Sequence, residues 1–290
     1  MQELRYERPV TATDAVALLA QDGTRVLAGG TDLIPQLREG RRTARTVVDL
    51  KHISDMTALS RLADGSWRLG AAASIGMLGR NAGFAAAHPG LLASARLIGS
   101  LQIQNRATLG GNLSNAAPSA DAVPLLIALG AQAEISALSG QRTVSVEAIA
   151  VGPGRTSLQP GEVVVTIVLP PPAPSSAAVY HRFTPRREMD IAVAGSGVHL
   201  AIGTDGTIAL ARIVLASVAP RPLRALKAET VLIGEKPSAA LFAAAGAAAA
   251  AEARPISDTR GSADYRRELI AVLTRRALTD CSRQLRVTAR

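Results

Sequence analysis

The chain has 290 residues, enough for about two domains, and 48% of them are hydrophobic and 19% charged. This composition is typical of a folded protein and excludes an intrinsically disordered one. The formal net charge is +9 at pH 7, yet only 2% of the residues are aromatic. Proteins that bind single-stranded nucleic acid stack bases on aromatic side chains, so this class is disfavoured. A solvated basic face or an acidic protein partner explains the charge better.

Cysteine and histidine usage argues against metal chemistry within this chain. The single cysteine, Cys281, forms no internal disulfide and cannot by itself hold an iron–sulfur cluster. The four histidines lie far apart and show no metal-binding spacing. The first residues are polar, and the longest apolar run, residues 239–251, is too short to cross a bilayer. We therefore expect a cytoplasmic protein without a membrane span.

The chain begins with a pattern typical of a βαβ unit, which we place at residues 1–55. Helical spacing covers residues 13–20, with Thr11 or Thr13 as the N-cap. Short apolar runs at residues 25–28 and 46–50 predict two strands.

A second part is expected at residues 56–174. Strands are predicted at residues 67–71, 133–135, 143–146 and 163–169, and helices from Ser74 onward and at 91–99. The proline-rich residues 170–176 predict an extended linker.

The third part, residues 178–290, is predicted to be a hairpin sheet covered by helices. The strands are residues 195–202 and 208–217, joined at Thr204-Asp205-Gly206. Helices are expected at residues 223–234, 238–254 and 265–285. This order of elements indicates an α+β fold.

Two glycine pairs are candidates for ligand binding. Gly29-Gly30 follows a predicted strand, where backbone amides without neighbouring side chains can approach an anion, although an ordinary turn explains this pair equally well. Gly110-Gly111 lies in residues 108–121, which are rich in Asn, Ser and Thr. A polar loop that binds a phosphate-bearing ligand explains this second segment better than a surface loop does.

Several common catalytic signatures are absent from the sequence. It contains no G-x-G-x-x-G after a strand, no P-loop motif and no G-x-S-x-G elbow. The glycine segments are therefore expected to bind a bulky cofactor rather than to perform acid–base catalysis, and no catalytic residue is predicted.

Two segments resemble signatures of a known family. The first is residues 28–33 (AGGTDL), at the end of the strand predicted at residues 25–28, and the second is residues 108–121 (TLGGNLSNAAPSAD). This family comprises the FAD-binding subunits of molybdenum hydroxylases: carbon monoxide dehydrogenase medium chains, xanthine dehydrogenase FAD domains and 4-hydroxybenzoyl-CoA reductase β subunits. Residues 180–193 are similar to the segment that opens the family's C-terminal domain.

The resemblance implies a two-subdomain FAD-binding domain of the vanillyl-alcohol-oxidase (PCMH) type, followed by a small α+β C-terminal domain. Residues 26–33 would hold the pyrophosphate, aided by residues 108–112, and Val164 would border the adenine or the flavin. The implied cofactor-binding residues are Val26, Leu27, Ala28, Gly29, Gly30, Thr31, Asp32, Leu33, Ile98, Thr108, Gly110, Gly111, Asn112, Asn115, Asp121, Val164 and Arg182.

The sequence departs from relatives at three places. Arg182 replaces a lysine that some relatives direct toward the flavin, and Ile191 replaces a tyrosine found beside the ring in others. The cysteine-rich insertion of the hydroxybenzoyl-CoA reductase branch is absent between Asn112 and Asp121. This chain would then bind FAD alone, and no metal.

The implied function is electron transfer within a multi-subunit molybdenum hydroxylase. A large subunit would carry the molybdenum cofactor and a small subunit the 2Fe–2S clusters, in a heterotrimer or a dimer of heterotrimers, and FAD would pass electrons to an external acceptor. Two alternatives stay open: a free-standing flavin oxidoreductase of the same fold, and a non-enzymatic basic interaction module. The substrate and the acceptor do not follow from the sequence.

Overall fold

The computed structural model describes residues 4–186 and 189–288. Within them, the first part of the chain is a small parallel sheet. Its elements are β1 (Arg5–Glu7), α1 (Ala12–Leu19), β2 (Thr24–Leu27), α2 (Leu33–Arg38) and β3 (Thr46–Asp49). β3 lies between β1 and β2 and pairs in parallel with both, and α1, β2 and β3 lie within a residue of the helix and the two strands predicted from the sequence. Of the two predicted caps for α1, Thr11 is the one used: its side chain accepts from the Asp14 amide at 3.1 Å.

The second part contains a five-stranded antiparallel sheet surrounded by short helices. Its helices are α3 (Ser54–Thr57), α4 (Ile75–Arg80), α5 (Ala82–Ala87), α6 (Pro89–Ala95), α7 (Leu101–Gln104), α8 (Leu109–Ser114) and α9 (Val123–Ala128). Its strands are β4 (Leu59–Arg61), β5 (Trp67–Gly70), β6 (Gln132–Ala137), β7 (Gly140–Ser145), β8 (Ala150–Gly152), β9 (Arg155–Thr156) and β10 (Val163–Leu169). The order in the sheet is β4-β5-β10-β6-β7, and β8 and β9 form a separate ribbon. The apolar β10 lies at the centre, which buries almost its whole length.

The third part is a four-stranded antiparallel sheet in the order β11-β12-β13-β14. Its elements are β11 (Ser176–Phe183), β12 (Ala194–Ile202), β13 (Ile208–Ala216), β14 (Leu223–Arg224), α10 (Leu226–Leu232), α11 (Ala239–Glu252) and α12 (Ala263–Thr288). The predicted hairpin is confirmed, with Gly206 at φ +80° in its turn. Among the described residues, no helix combines the length and the apolar composition needed to cross a bilayer.

The third sheet contributes to two cores, because one of its faces packs against the helices of the third part and the other packs against the second part. Side chains alternate along a strand, and in β13 Ile213 and Leu215 pack in the same core as residues of α11 and α12. Val214 and Ala216, which point the other way, belong to the core of the second part. Pro124 of α9 lies so close that a Cβ on Gly197 of β12 would be 3.0 Å from it.

Three sequence predictions are corrected at their ends. The helix expected at residues 91–99 runs instead from Pro89 to Ala95, because proline is accepted in the first turn of a helix. The helix expected from residue 223 starts at Leu226, because Leu223 and Arg224 pair with β13. The proline-rich linker is shorter than expected, since Ser176 already begins β11.

Candidate functional site

The two glycine segments lie directly against each other in the structure. A Cβ on Gly29 would be 2.2 Å from the Arg106 carbonyl oxygen, so only glycine permits this approach of the two backbones. On the other side, Gln36 of α2 donates to the Asn115 side-chain oxygen at 3.3 Å. Residues far apart in the sequence therefore form one continuous surface.

Three consecutive carbonyl oxygens of the first segment, those of Ala28, Gly29 and Gly30, accept hydrogen bonds from donors outside it. The donors are Lys51 Nζ to Ala28 at 2.8 Å, Arg106 Nε to Gly29 at 3.5 Å and the Ile34 amide to Gly30 at 3.1 Å. Two of these donors are cationic side chains. Two cationic side chains thus lie beside the segment, and one of them, Lys51, is paired with the Asp49 carboxylate at 2.6 Å.

The amides of the same segment are free. Within residues 4–186 and 189–288, the amides of Gly29, Gly30 and Thr31 have no hydrogen-bond acceptor. Gly30 has a φ of +78°, a conformation that favours glycine. Unpaired consecutive amides in a turn, next to cationic groups, favour an anion such as a phosphate.

The second segment is partly helical, which corrects the expectation of a polar loop. The Thr108 side chain accepts from the Gly111 amide at 2.8 Å and caps α8. Leu109 and Leu113, on either side of the glycines, are 3% and 0% exposed. The leucines therefore fix the helix in the core, and its polar residues remain on the other side.

The two glycines of α8 have different roles. A Cβ on Gly110 would be 2.4 Å from the Ala71 carbonyl oxygen, so Gly110 allows α8 to pack against the end of β5. A Cβ on Gly111 would meet nothing within 4 Å except Thr108 Oγ1 at 3.0 Å. Gly111 thus leaves open space beside the helix. At the next residue of α8, the side-chain oxygen of Asn112 is buried and has no hydrogen-bond partner among the described residues. This oxygen is therefore available to a hydrogen-bond donor.

Asp121 and Arg182, both predicted to contact the cofactor, are bonded to each other. Arg182 of β11 donates to Asp121, and Tyr180 donates to the other carboxylate oxygen at 3.1 Å. The Arg182 and Asp121 side chains are only 9% and 8% exposed. Burial raises the pKa of Asp121 to about 6, while Arg182 acts in the opposite direction. This cluster connects the second part of the chain to the third.

The remaining predicted residues surround this surface unevenly. Leu27 is buried in a small core with Ala44 and Val47, and Leu33 packs against it. Val26 is exposed on β2, which lies at the edge of the sheet. Asp32 is exposed as well, and the protein atoms around its carboxyl raise its pKa by desolvation.

Val164 and Ile98, the two apolar residues predicted to contact the cofactor from the second part, belong to the core of that part or pack against it. Val164 is 3% exposed, at an irregularity in the pairing of β10 with β6. Ile98 is half-buried and packs against the same core. Ile191, at the position of a ring-facing tyrosine in some relatives, is 50% exposed. The structure thus brings the two glycine segments together, and it leaves the roles of Val164, Ile98 and Ile191 as predictions.

Sequence reasoning missed Lys51, Arg106 and Tyr180. Lys51 and Arg106 lie in no motif, and their contacts with Ala28 and Gly29 depend on how β3 and α7 pack beside the first segment. Tyr180 is in the block that resembles the family, but no pattern indicated its bond with Asp121.

Comparison with known proteins identifies the class. Residues 2–172 match the family described as the FAD binding domain in molybdopterin dehydrogenase, and residues 179–281 match the CO dehydrogenase flavoprotein C-terminal domain. The chain is 30% identical over 277 residues to the putative xanthine dehydrogenase FAD-binding subunit of Escherichia coli K12, covering 95% of this chain and 94% of the relative. It is 34% identical over 275 residues to the carbon monoxide dehydrogenase medium chain of Afipia carboxidovorans, covering 94% of each.

Solved structures agree with these sequence relatives. A chain of carbon monoxide dehydrogenase from Hydrogenophaga pseudoflava superposes with a TM-score of 0.91 at 30% identity, covering 96% of both chains. A chain of quinoline 2-oxidoreductase from Pseudomonas putida 86 has a TM-score of 0.91 at 28% identity, covering 97% of this chain and 98% of the other.

The chain therefore belongs to the family of FAD-binding subunits of molybdopterin-dependent dehydrogenases. The sequence-based predictions of the family, of the α+β fold, of FAD as the cofactor and of an oxidoreductase subunit are confirmed.

Proposed function

We propose that this chain is the electron-transfer subunit of a cytoplasmic, three-component molybdenum hydroxylase, and that the surface between its two glycine segments holds FAD. The molybdenum cofactor would lie on a large partner subunit and the 2Fe–2S clusters on a small one, which is the arrangement that the family resemblance of the sequence motifs implies. Names of relatives such as "medium chain" support this arrangement.

The single observation that carries the proposal is the state of the first segment. The carbonyls of Ala28, Gly29 and Gly30 are occupied, the amides of Gly29, Gly30 and Thr31 have no acceptor among the described residues, and Lys51 and Arg106 lie beside them. The pyrophosphate of FAD is a dianion, so it matches both the donors and the charge. The partnerless Asn112 oxygen supplies an acceptor for a hydroxyl or N–H of the same cofactor. The residues present thus fit FAD.

Each group of residues has its own task in this proposal. Gly29, Gly30 and Thr31 bind the pyrophosphate through their amides, and Gly111 leaves room for it. Asp121 and Arg182 contact further parts of the cofactor from the junction with the C-terminal domain. Bound FAD supplies redox chemistry that links one-electron donors to a two-electron acceptor. None of these residues is assigned a proton transfer to the organic substrate.

The proposal is tested by cofactor analysis of the purified protein. We expect a yellow protein that releases about one FAD per chain on heating, the occupancy of a single site, and that shows no iron–sulfur or molybdenum signal unless partner subunits co-purify. Turnover of a small organic donor by the chain alone would instead favour a free-standing flavin oxidoreductase. A colourless protein that fails to take up added FAD would contradict both.

A paired substitution tests the location of the site. Gly111→Val places a branched side chain in the open space beside α8 and should abolish FAD binding. Ala247→Val is the control, since it adds a branched residue to the exposed face of α11, far along the chain from both segments. Full FAD occupancy in Gly111→Val would show that the cofactor lies elsewhere.

A further inference from the structure

A chain of hydrogen bonds runs beneath the first glycine segment and connects it to β1. The Tyr6 hydroxyl donates to one oxygen of Asp49. The other oxygen accepts from Lys51, from its backbone amide at 3.0 Å and from its ammonium at 2.6 Å. The same ammonium donates to the Ala28 carbonyl at 2.8 Å. Four residues from three places in the sequence thus converge on one peptide group.

The bond to Ala28 determines the direction of the next amide. A peptide unit is planar and trans, so its C=O and N–H point in opposite directions. Lys51 holds the Ala28 carbonyl on the side of β3, and the Gly29 amide must therefore point away from Lys51. That amide has no acceptor among the described residues. By holding the Ala28 carbonyl, Lys51 thus leaves the Gly29 amide free to donate on the opposite side of the peptide group.

The charge of Lys51 is held in place by a carboxylate that is almost completely buried. Asp49 is 2% exposed, and although this burial would raise its pKa, the hydrogen bonds from Lys51 and Tyr6 lower it. The ammonium is therefore fixed beside an ionised partner.

Arg106 makes the corresponding contact with Gly29 much less firmly. Its Nε lies 3.5 Å from the Gly29 oxygen, and the residue is exposed. No carboxylate partner of Arg106 is found among the described residues. The fixed donor on this segment is therefore Lys51.

We propose that Lys51 is a positioning residue for the pyrophosphate of FAD: by holding the Ala28 carbonyl on one side of the peptide group, it directs the Gly29 amide to the phosphates on the other side. This inference rests on the proposed function, in which residues 26–33 hold the pyrophosphate. Tyr6 and Asp49 support Lys51 from behind.

The test is ligand binding to the deflavinated protein, measured by titration calorimetry. In Lys51→Met the Gly29 amide is no longer held toward the phosphates, so we expect the affinity for FAD and for ADP, which also contains a pyrophosphate, to fall about 10- to 100-fold, the loss typical of one hydrogen bond from an amide to a charged group. Affinity for adenosine, which lacks phosphate, should change less than about twofold, since it makes no such bond. An equal loss for adenosine and ADP would overturn the proposal, because it would indicate general damage to the site.

Three further proteins complete the experiment. Lys227→Met removes an exposed lysine from α10 and should bind all ligands normally. Lys51→Arg keeps a cation and donors, so it should recover most of the affinity; an Arg variant as weak as Met would overturn the proposal. If Lys51→Met does not fold because Asp49 is left without its partner, Asp49→Asn/Lys51→Met removes the carboxylate too and should show the same selective loss. Normal ADP binding by a folded variant that lacks Lys51 would also overturn it.

Failure of this inference is distinguishable from failure of the proposed function. If the unaltered protein binds neither FAD nor ADP, the proposed function is wrong and the inference falls with it. If the unaltered protein binds both and Lys51→Met binds them as tightly, only the role of Lys51 is refuted.

Discussion

The Arg182 guanidinium donates to the Asp121 carboxylate, and this buried ion pair joins the first strand of the C-terminal sheet to the segment that follows α8. Next to it, the Ser217 amide donates to the Pro118 carbonyl at 2.9 Å. The residues proposed to bind the cofactor thus also connect the two large parts of the chain. Substitutions that shift either part are therefore expected to alter the position of Asp121 and Arg182.

Removal of Arg182 should destabilise the protein in a pH-dependent way. Arg182→Met leaves the Asp121 carboxylate buried without its cation, which costs about 3 kcal/mol when the carboxylate is ionised. The pKa of Asp121 is already raised to about 6 by burial and rises further without Arg182. As the pH falls, the folded variant takes up a proton at Asp121 more readily than the unfolded chain does, so the loss should shrink.

Chemical denaturation at pH 8 and pH 5 measures this effect. We expect the difference in the free energy of unfolding between Arg182→Met and the unaltered protein to be at pH 5 no more than half of its value at pH 8. Arg283→Met, which breaks an exposed pair with Asp280, should cost less than about 0.5 kcal/mol at both values. A constant loss at the two pH values would argue that Arg182 acts only through packing.

His88 should limit stability in mild acid. It is 4% exposed, and burial, aided by neighbouring His199, lowers its pKa to about 4. The unfolded chain takes up a proton near pH 6.5 and the folded protein does so only near pH 4. Stability is therefore lost as the pH falls through this window, by up to about 3 kcal/mol. His88→Met should reduce the slope between pH 6.5 and 4, and the two unfolding curves should run parallel above pH 7. Equal slopes below pH 6.5 would contradict the assignment.

Gly29 is expected to be required for cofactor binding for a steric reason. In Gly29→Ala the added methyl group would overlap the Arg106 carbonyl, so the two glycine segments must separate, at a cost of about 1–3 kcal/mol. We expect the purified variant to retain little FAD. In Gly40→Ala the methyl group meets nothing within 4 Å, although the φ of +69° makes alanine cost about 1 kcal/mol of stability; this control should retain a full complement of FAD. Normal FAD content in Gly29→Ala would mean that the close approach is dispensable.

Gly246 should oppose the usual effect of glycine-to-alanine substitution in a helix. Alanine normally gains up to about 1 kcal/mol there. In α11, however, a Cβ on Gly246 would lie 2.5 Å from the Ala271 carbonyl of α12. Gly246→Ala should therefore lower the free energy of unfolding by about 1–3 kcal/mol. The control Ala247→Gly, on the exposed face, should lower it by about 1 kcal/mol through propensity alone. A stabilised Gly246→Ala protein would show that the two helices separate easily.

Elements with strong local signals were predicted well from the sequence. The apolar run at residues 163–169, the hairpin around Gly206 and the alanine-rich helix all lie where periodicity and turn residues indicate. Local preference failed at Leu223 and Arg224, where pairing with β13 outweighs helix propensity. It also failed at residues 109–114, whose polar composition concealed a helix fixed by two buried leucines.

The sequence by itself determined the family, the α+β class and the two glycine segments, because glycine pairs, caps and apolar periodicity are local properties of the chain. Only the tertiary structure decided what surrounds those segments. Lys51 reaches Ala28 because β3 pairs with β2 in parallel, and Arg182 reaches Asp121 because β11 packs beside the second part of the chain. Contacts of this kind depend on burial and on pairing between distant strands, which no local pattern in the chain specifies.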